Sequence, residues 1–389
     1  MTDYSKFNAN WNYPTTIRFG VGRLNELADA CQQLSISKPL LVTDPGIAGL
    51  PMVKTARDQN SAKGLPPGLF SNIKPNPTGQ NIDDGLAVYR EGGYDGVIAF
   101  GGGSALDAAK AIALMAGQKL PLWTFEDVGD NWTKVDPEGV APIVAVPTTS
   151  GTGSEVGRAS VIVQEETHSK KIIFHPRMLP AIVIADPETT VGLPAGLTAA
   201  TGMDALSHCL EPYSAGGFHP MAAGIAVEGI RLIHRWLPIA VKDGTNLDAR
   251  ANMLAAAGMG ATAFQKGLGA MHSLAHPLGA IYDAHHGMLN AVLMPYVLEF
   301  NRPVIEERMA RLAAWIGLPN PSFSAVMDWV LEIRAEFKIP ETLAGLGVDD
   351  SRVDEIAQMA ADDPSTPTNA IKAGAPEMKE IFLKALNGR

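Results

Sequence analysis

Four short apolar runs in the first half of the chain limit its fold more than any other feature: PLLVTD (39–44), GVIAFGGG (96–103), APIVAVPTT (141–149) and AIVIADP (181–187). Each reads as a buried strand ending in turn residues, and helical stretches such as SALDAAKAIALMA (104–116) lie between some of them. Apolar strands alternating with helices predict a parallel, Rossmann-like sheet covered on both faces. After GLPAG (192–196) the pattern changes. LTAATGMDALSHCLEPY (197–213), HPMAAGIAVEGIRLIHRWLPIAV (219–241) and LDARANMLAAAGMGATAFQ (247–265) have helical periodicity and few strand signals. The expectation is an α/β domain over residues 1–190 and an all-α domain over 191–389, since 389 residues are many for one core.

In VIAFGGGSALDAAK a strand, three glycines and a serine lead into a helix. Gly101, Gly102 and Gly103 let the backbone approach a bulky ligand, and the unpaired N–H groups of the helix start suit a pyrophosphate. Ser104 is expected as the N-cap. The loop matches neither GxGxxG nor GxxxxGK[ST], so a tight turn that only caps a helix is the competing reading. Asp44, closing the first strand, is placed to accept hydrogen bonds from ribose hydroxyls and to repel a 2′-phosphate, which favours NAD over NADP; it is equally a helix cap. PTTSGTGSE (147–155) is a second glycine- and hydroxyl-rich loop fit to line a nucleotide cleft, or only a loop.

Four of the nine histidines fall in GAMHSLAHPLGAIYDAHHG (269–287). His272 and His276 lie four apart, on one helical face, and His285 and His286 follow a bend expected near Pro277. Serine follows His272, so this is not the HExxH of zinc peptidases. Upstream, Asp204 and His208 are also four apart. Two such faces would supply a carboxylate and two or three imidazoles, a set that zinc and ferrous iron both accept. Buried, hydrogen-bonded histidines are the alternative.

A formal charge of −10 argues against nucleic acid and anionic lipid as partners. Two cysteines, Cys31 and Cys209, make no disulfide framework. The N-terminal stretch has no apolar signal-peptide core, and no apolar run approaches the ~18 residues of a membrane span. A cytoplasmic protein is expected.

GGGSALDAAK, PTTSGTGSE, TGMDALSHCLEPY and HSLAHPLGAIYDAHHG occur in an order and at separations that resemble the iron-containing (group III) alcohol dehydrogenases, across nearly the whole chain. The resemblance implies a dehydroquinate-synthase-like fold with the active site in the cleft between two domains. It implies metal ligands at Asp204, His208, His272 and His286, with His276 beside the nicotinamide as a proton-handling group. It places the cofactor at Asp44, Asn76, Gly102, Gly103, Ser104, Asp107, Thr148, Thr149, Thr152, Lys171 and His276. The complete ligand set argues against the metal-free maleylacetate reductase branch. The activity implied is hydride transfer between a small alcohol or aldehyde and NAD, less readily NADP, with the alcohol oxygen on Fe(II), or on Zn(II) as the alternative. The family expectation is a homodimer or larger homo-oligomer.

Phe264 stands one residue closer to His272 than the family pattern, which bears on substrate choice. Two rivals remain. A lyase of the dehydroquinate synthase type uses NAD transiently but needs a basic pocket that the sequence does not offer. A non-catalytic nucleotide- or metal-binding protein has no need of four ligands beside a nicotinamide loop.

Overall fold

The computed structural model describes residues 9–11, 15–167 and 169–388. The chain divides into two compact units, Met1–Thr149 with Gly153–Leu193, and Ser150–Thr152 with Pro194–Arg389.

The first unit holds strands β1 (Ala9–Trp11), β2 (Thr16–Phe19), β3 (Pro39–Val42), β4 (Gly68–Phe70), β5 (Gly96–Gly101), β6 (Ile143–Pro147), β7 (Ala159–Gln164), β8 (Ser169–Phe174) and β9 (Ile182–Ala185). Its helices are α1 (Leu27–Gln33), α2 (Pro51–Ala62), α3 (Gly79–Gly92) and α4 (Gly103–Met115). Seven strands form one sheet in the order β1-β2-β9-β6-β5-β3-β4. All its pairings are parallel except that of β1 with β2. Every residue of β3, β5, β6 and β9 is buried, which explains their unbroken apolar composition. β7 and β8 form a separate antiparallel hairpin, and β7 shows the alternation of a strand with one wet face.

From β3 the chain continues outward to β4, then returns to the other side of β3 to form β5 and β6. The strand order therefore reverses between β3 and β5, and such a switch point opens a crevice at the carboxyl ends of the strands.

The second unit is helical: α5 (Ala195–Ser214), α6 (Pro220–Lys242), α7 (Leu247–Ala263), α8 (Ala270–Tyr282), α9 (His286–Ile316), α10 (Phe323–Glu336), α11 (Val353–Ala361) and α12 (Ala375–Asn387). Leu206, Leu210, Ile230, Met253, Leu274 and Leu293 share one buried core, which holds α5 to α9 in register. α8 runs through Pro277 to Tyr282, so the bend expected at the proline falls later, where Asp283 takes a left-handed conformation (φ 52°). Among the described residues no helix is long and apolar enough to cross a membrane.

Glu155 is 4% exposed, and burial pushes its carboxyl up to about 7 against the opposing pull of Lys110. Lys110 is itself committed to the carbonyls of Ser154 and Ala159 and pairs with Asp107 at 3.2 Å. Between the ordinary Glu value and about 7, the folded protein keeps a proton that the unfolded chain has lost. The stability this gives is complete at acid pH and disappears as pH rises through 7. Glu155→Gln should therefore melt at nearly the same temperature as the parent near about pH 5, and higher than the parent near about pH 8. A difference in melting temperature that does not vary with pH would contradict this assignment.

Candidate metal centre and nucleotide crevice

In the second unit Asp204, His208, His272 and His286 each bring one donor atom to a common point, all four within 4.8 Å of one another. Asp204 and His208 lie one turn apart on α5, as their spacing predicts, and His272 stands in the first turn of α8. His286 is the first residue of α9, with His285 at the N-cap, so the histidine doublet marks a helix start. Gly287 brings that start against α5. A Cβ there would sit 2.3 Å from the Ala200 carbonyl oxygen and 3.2 Å from the Asp204 Cβ, so no larger residue permits this approach.

The imidazole rings stack around the point of convergence. His208 and His272 lie 4.7 Å apart between centroids at 20°, and His276 and His286 lie 5.5 Å apart at 8°. Phe264 covers His208 at 5.5 Å. The short link from Phe264 to His272 is accommodated by a 3₁₀ turn (Phe264–Lys266) and by Gly267 at φ 115°, where a Cβ would collide with Thr368 at 2.3 Å.

Burial varies across the site. The side chains of His272, Asp204 and His208 are 1%, 4% and 7% exposed, whereas His276 and His286 are 15% and 27% exposed. Access is therefore from the His276–His286 side. Burial holds the His208 pKa below the ordinary histidine value, outweighing the pull of Asp204, which leaves a neutral imidazole ready to ligate. Burial also disfavours the charged form of His272, but the Glu211 carboxylate outweighs it and raises the pKa.

Each of the four converging side chains is held by a further group. The His208 Nδ1–H donates to the Gly151 carbonyl at 3.3 Å. The His272 Nδ1–H donates to Glu211 Oε2 at 2.6 Å, and the other Glu211 oxygen accepts the Met271 N–H at 2.8 Å. The Asn290 amide nitrogen lies 2.9 Å from Asp204 Oδ1 and 3.2 Å from the Nε2 atoms of both His272 and His286. The His276 Nδ1–H donates to Asp363 Oδ2 at 2.8 Å. Burial alone would raise the Asp363 pKa, but attraction and hydrogen bonding from His276 prevail and hold it below the ordinary range.

The donor chemistry fits a divalent ion. Ligands about 2.1 Å from one tetrahedral metal lie about 3.4 Å apart, so a set already within 4.8 Å needs little adjustment. The Asn290 Oδ1 atom, buried among these groups, has no hydrogen-bond partner. Such an atom marks a place arranged for something besides protein.

In the first unit, the expected cofactor residues fall into two groups. At the switch point the Gly101 carbonyl accepts the Thr148 N–H at 2.9 Å. A Cβ on Gly101 (φ 150°) would meet Ala105 at 2.7 Å and Asp44 Oδ2 at 3.3 Å, and one on Gly102 would meet Thr149 at 3.2 Å. Asp44, Gly102, Gly103, Thr148 and Thr149 are thus gathered at the carboxyl ends of β3, β5 and β6.

Ser104 does not cap α4. Gly102 takes the extended N-cap conformation, which puts Ser104 inside the first turn, and its hydroxyl donates to the Pro75 carbonyl next to Asn76. Asp107 ties α4 to the hairpin, accepting from Ser154 Oγ at 2.5 Å and from the Val161 N–H at 2.9 Å. Lys171 on β8 pairs with Glu126 at 2.9 Å. Thr152 groups with the second unit, beside the Gly151 carbonyl that holds His208.

Glu211, Asn290 and Asp363 escape the sequence reading. Glu211 follows Asp204 by two helical turns on α5, a spacing that could have revealed it. Asn290 stands one turn after His286 on α9. Asp363 lies in a polar stretch with no periodicity.

Residues 14–187 match the family described as iron-containing alcohol dehydrogenase, and residues 198–386 match the C-terminal part of the Fe-containing alcohol dehydrogenase family. The chain is 39% identical over 384 residues to 4-hydroxybutyrate dehydrogenase of Cupriavidus necator, covering 96% of this chain and 99% of that protein. It is 32% identical to the NAD-dependent methanol dehydrogenase of Bacillus methanolicus, over 97% of this chain and all of that one. Among solved structures, a 1,3-propanediol oxidoreductase superposes with a TM-score of 0.91 at 35% identity, over 99% of this chain and 100% of the other. Fold, site and relatives define an oxidoreductase of the alcohol dehydrogenase class. Within that class, the chain belongs to the iron-containing, group III alcohol dehydrogenase family.

Asp204→Ala and His272→Ala should each lose the divalent metal on dialysis, as measured by elemental analysis, while the far-ultraviolet circular dichroism remains that of the parent. Retention of a stoichiometric ion by either variant would exclude the four-residue set as the site.

Proposed function

We propose that the protein is a divalent-metal-dependent, NAD-linked dehydrogenase that interconverts a short primary alcohol and its aldehyde. The observation that carries this reading is the convergence of Asp204, His208, His272 and His286 in the helical unit. The three relatives described above are named for 4-hydroxybutyrate, methanol and 1,3-propanediol, each of which carries a primary hydroxyl. Fe(II) is the first candidate for the ion on family grounds, and an N₃O donor set also takes Zn(II).

A divalent ion supplies Lewis acidity toward the alcohol oxygen, and a nicotinamide supplies the hydride acceptor. The side chains do the rest. The three imidazoles and the Asp204 carboxylate would hold the ion, and the more exposed side at His276 and His286 is left to the substrate. With Nδ1–H pinned on Asp363, His276 keeps Nε2 as a proton acceptor, and we assign it the alcohol proton. Phe264 keeps water away from the His208 face. The Gly101–Gly103 backbone and the start of α4 provide N–H groups for a pyrophosphate. Asp44 serves the ribose, and its charge disfavours the 2′-phosphate of NADP.

The test is to strip the metal, reload Fe(II) or Zn(II) without oxygen, and follow NADH formation from a panel of short alcohols with NAD and with NADP. Metal-dependent formation of NADH, faster with NAD, is expected. Equal turnover without metal, or no net NADH from any alcohol with either ion, would overturn the proposal. His276→Ala should retain its metal but turn over on the order of 10²–10⁴ times more slowly, with a changed pH profile.

A further inference from the structure

Glu211 is 5% exposed, and its two carboxylate oxygens are directed at one short stretch of α8. One accepts the backbone N–H of Met271, in the first turn of the helix, and the other accepts Nδ1–H of His272 at 2.6 Å. A carboxylate can only accept, so Nδ1 must carry the proton. On the opposite edge of the ring, Nε2 faces the side-chain amide of Asn290 at 3.2 Å. Glu211 thus fixes the tautomer, protonated at Nδ1 with its lone pair on Nε2.

We propose that Glu211 is a positioning residue of the metal centre, holding His272 with its Nε2 lone pair turned to the ion and strengthening that nitrogen as a donor. The proposal rests on reading Asp204, His208, His272 and His286 as the metal site. A carboxylate behind a ligating histidine fixes ring and tautomer, and its loss typically weakens metal binding by about 10–100-fold. Gln in this position keeps the shape of Glu but brings an amide that donates toward Nδ1 while its oxygen still accepts from Met271. Donation toward Nδ1 favours the opposite tautomer, with the proton on Nε2 where the ion must bind. Glu211→Gln gives up the charge-assisted bond to His272 but keeps the one to Met271, whereas Glu211→Asp keeps the charge and shortens the reach to both, so affinity and metal-free stability should not rank the two variants alike.

The experiment measures the Zn(II) dissociation constant by competition with a chromogenic chelator, and the melting temperature of the metal-free protein, for the parent, Glu211→Gln and Glu211→Asp. Glu211→Gln should bind Zn(II) about 10–100-fold more weakly, while its metal-free form stays folded and melts no lower than that of Glu211→Asp. Glu211→Asp retains the charge but draws it back from Nδ1, and should fall between parent and Glu211→Gln in affinity. Affinity within twofold of the parent in both variants would overturn the proposal. So would metal-free melting that falls in step with affinity, or failure of both variants to fold, since either outcome makes Glu211 a purely structural residue. A parent that binds no Zn(II) would instead sink the metal-site reading itself.

Discussion

A buried carboxylate costs several kcal/mol unless its charge is compensated, and α5 buries two of them, Asp204 and Glu211, within two turns of each other. Among the described residues, the basic side chains within 4 Å of them are histidines, His208 and His286 for Asp204 and His272 for Glu211. Histidines that ligate a metal are neutral and cannot offset two negative charges. A divalent cation offsets both. The local sequence is consistent with this requirement: glycine at 287 admits α9, the Asn290 amide faces the site, and the first turn of α8 lends the Met271 N–H to Glu211.

The two units achieve rigidity by different means. In the first, continuous apolar strands are buried on both faces, and the reversal of strand order, rather than any single side chain, opens a crevice at the carboxyl ends of β3 and β5. In the second, precision comes from helix contacts and from polar groups behind the ligands. The stretch from Asp363 to Asn369 illustrates the latter. Asp363 holds His276, Thr366 donates to Ser273, and Asn369 accepts the Ala270 N–H, so one irregular segment fixes three positions along α8.

What the sequence reveals follows the range of the interactions. β3, β5, β6, β9 and α4 are legible because burial on both faces imposes continuous apolar runs, and helix periodicity is local. β2 (TIRF) and β4 (GLF) are not, since neither is buried throughout and neither forms a continuous apolar run. The Asp204–His208 and His272–His276 pairs are legible as i, i+4 faces, whereas their meeting with His286 depends on how α5, α8 and α9 pack. Ser104 shows the limit of local rules: the residue suits an N-cap, but Gly102 reaches that conformation first. Asp363 had no local signature, because its partner lies far away in the chain.

The ligands also have a topological consequence. Asp204 and His208 belong to one helix, and His272 and His286 belong to two others beyond the whole of α6 and α7. A bound ion therefore joins distant parts of the chain, like a reversible cross-link, and opposes the separation of these helices on unfolding. Resistance to unfolding then becomes a function of free metal: each tenfold rise in metal concentration above the dissociation constant adds about 1.4 kcal/mol. Metal held at these four residues would thus tie the stability of the fold to the metal supply around it.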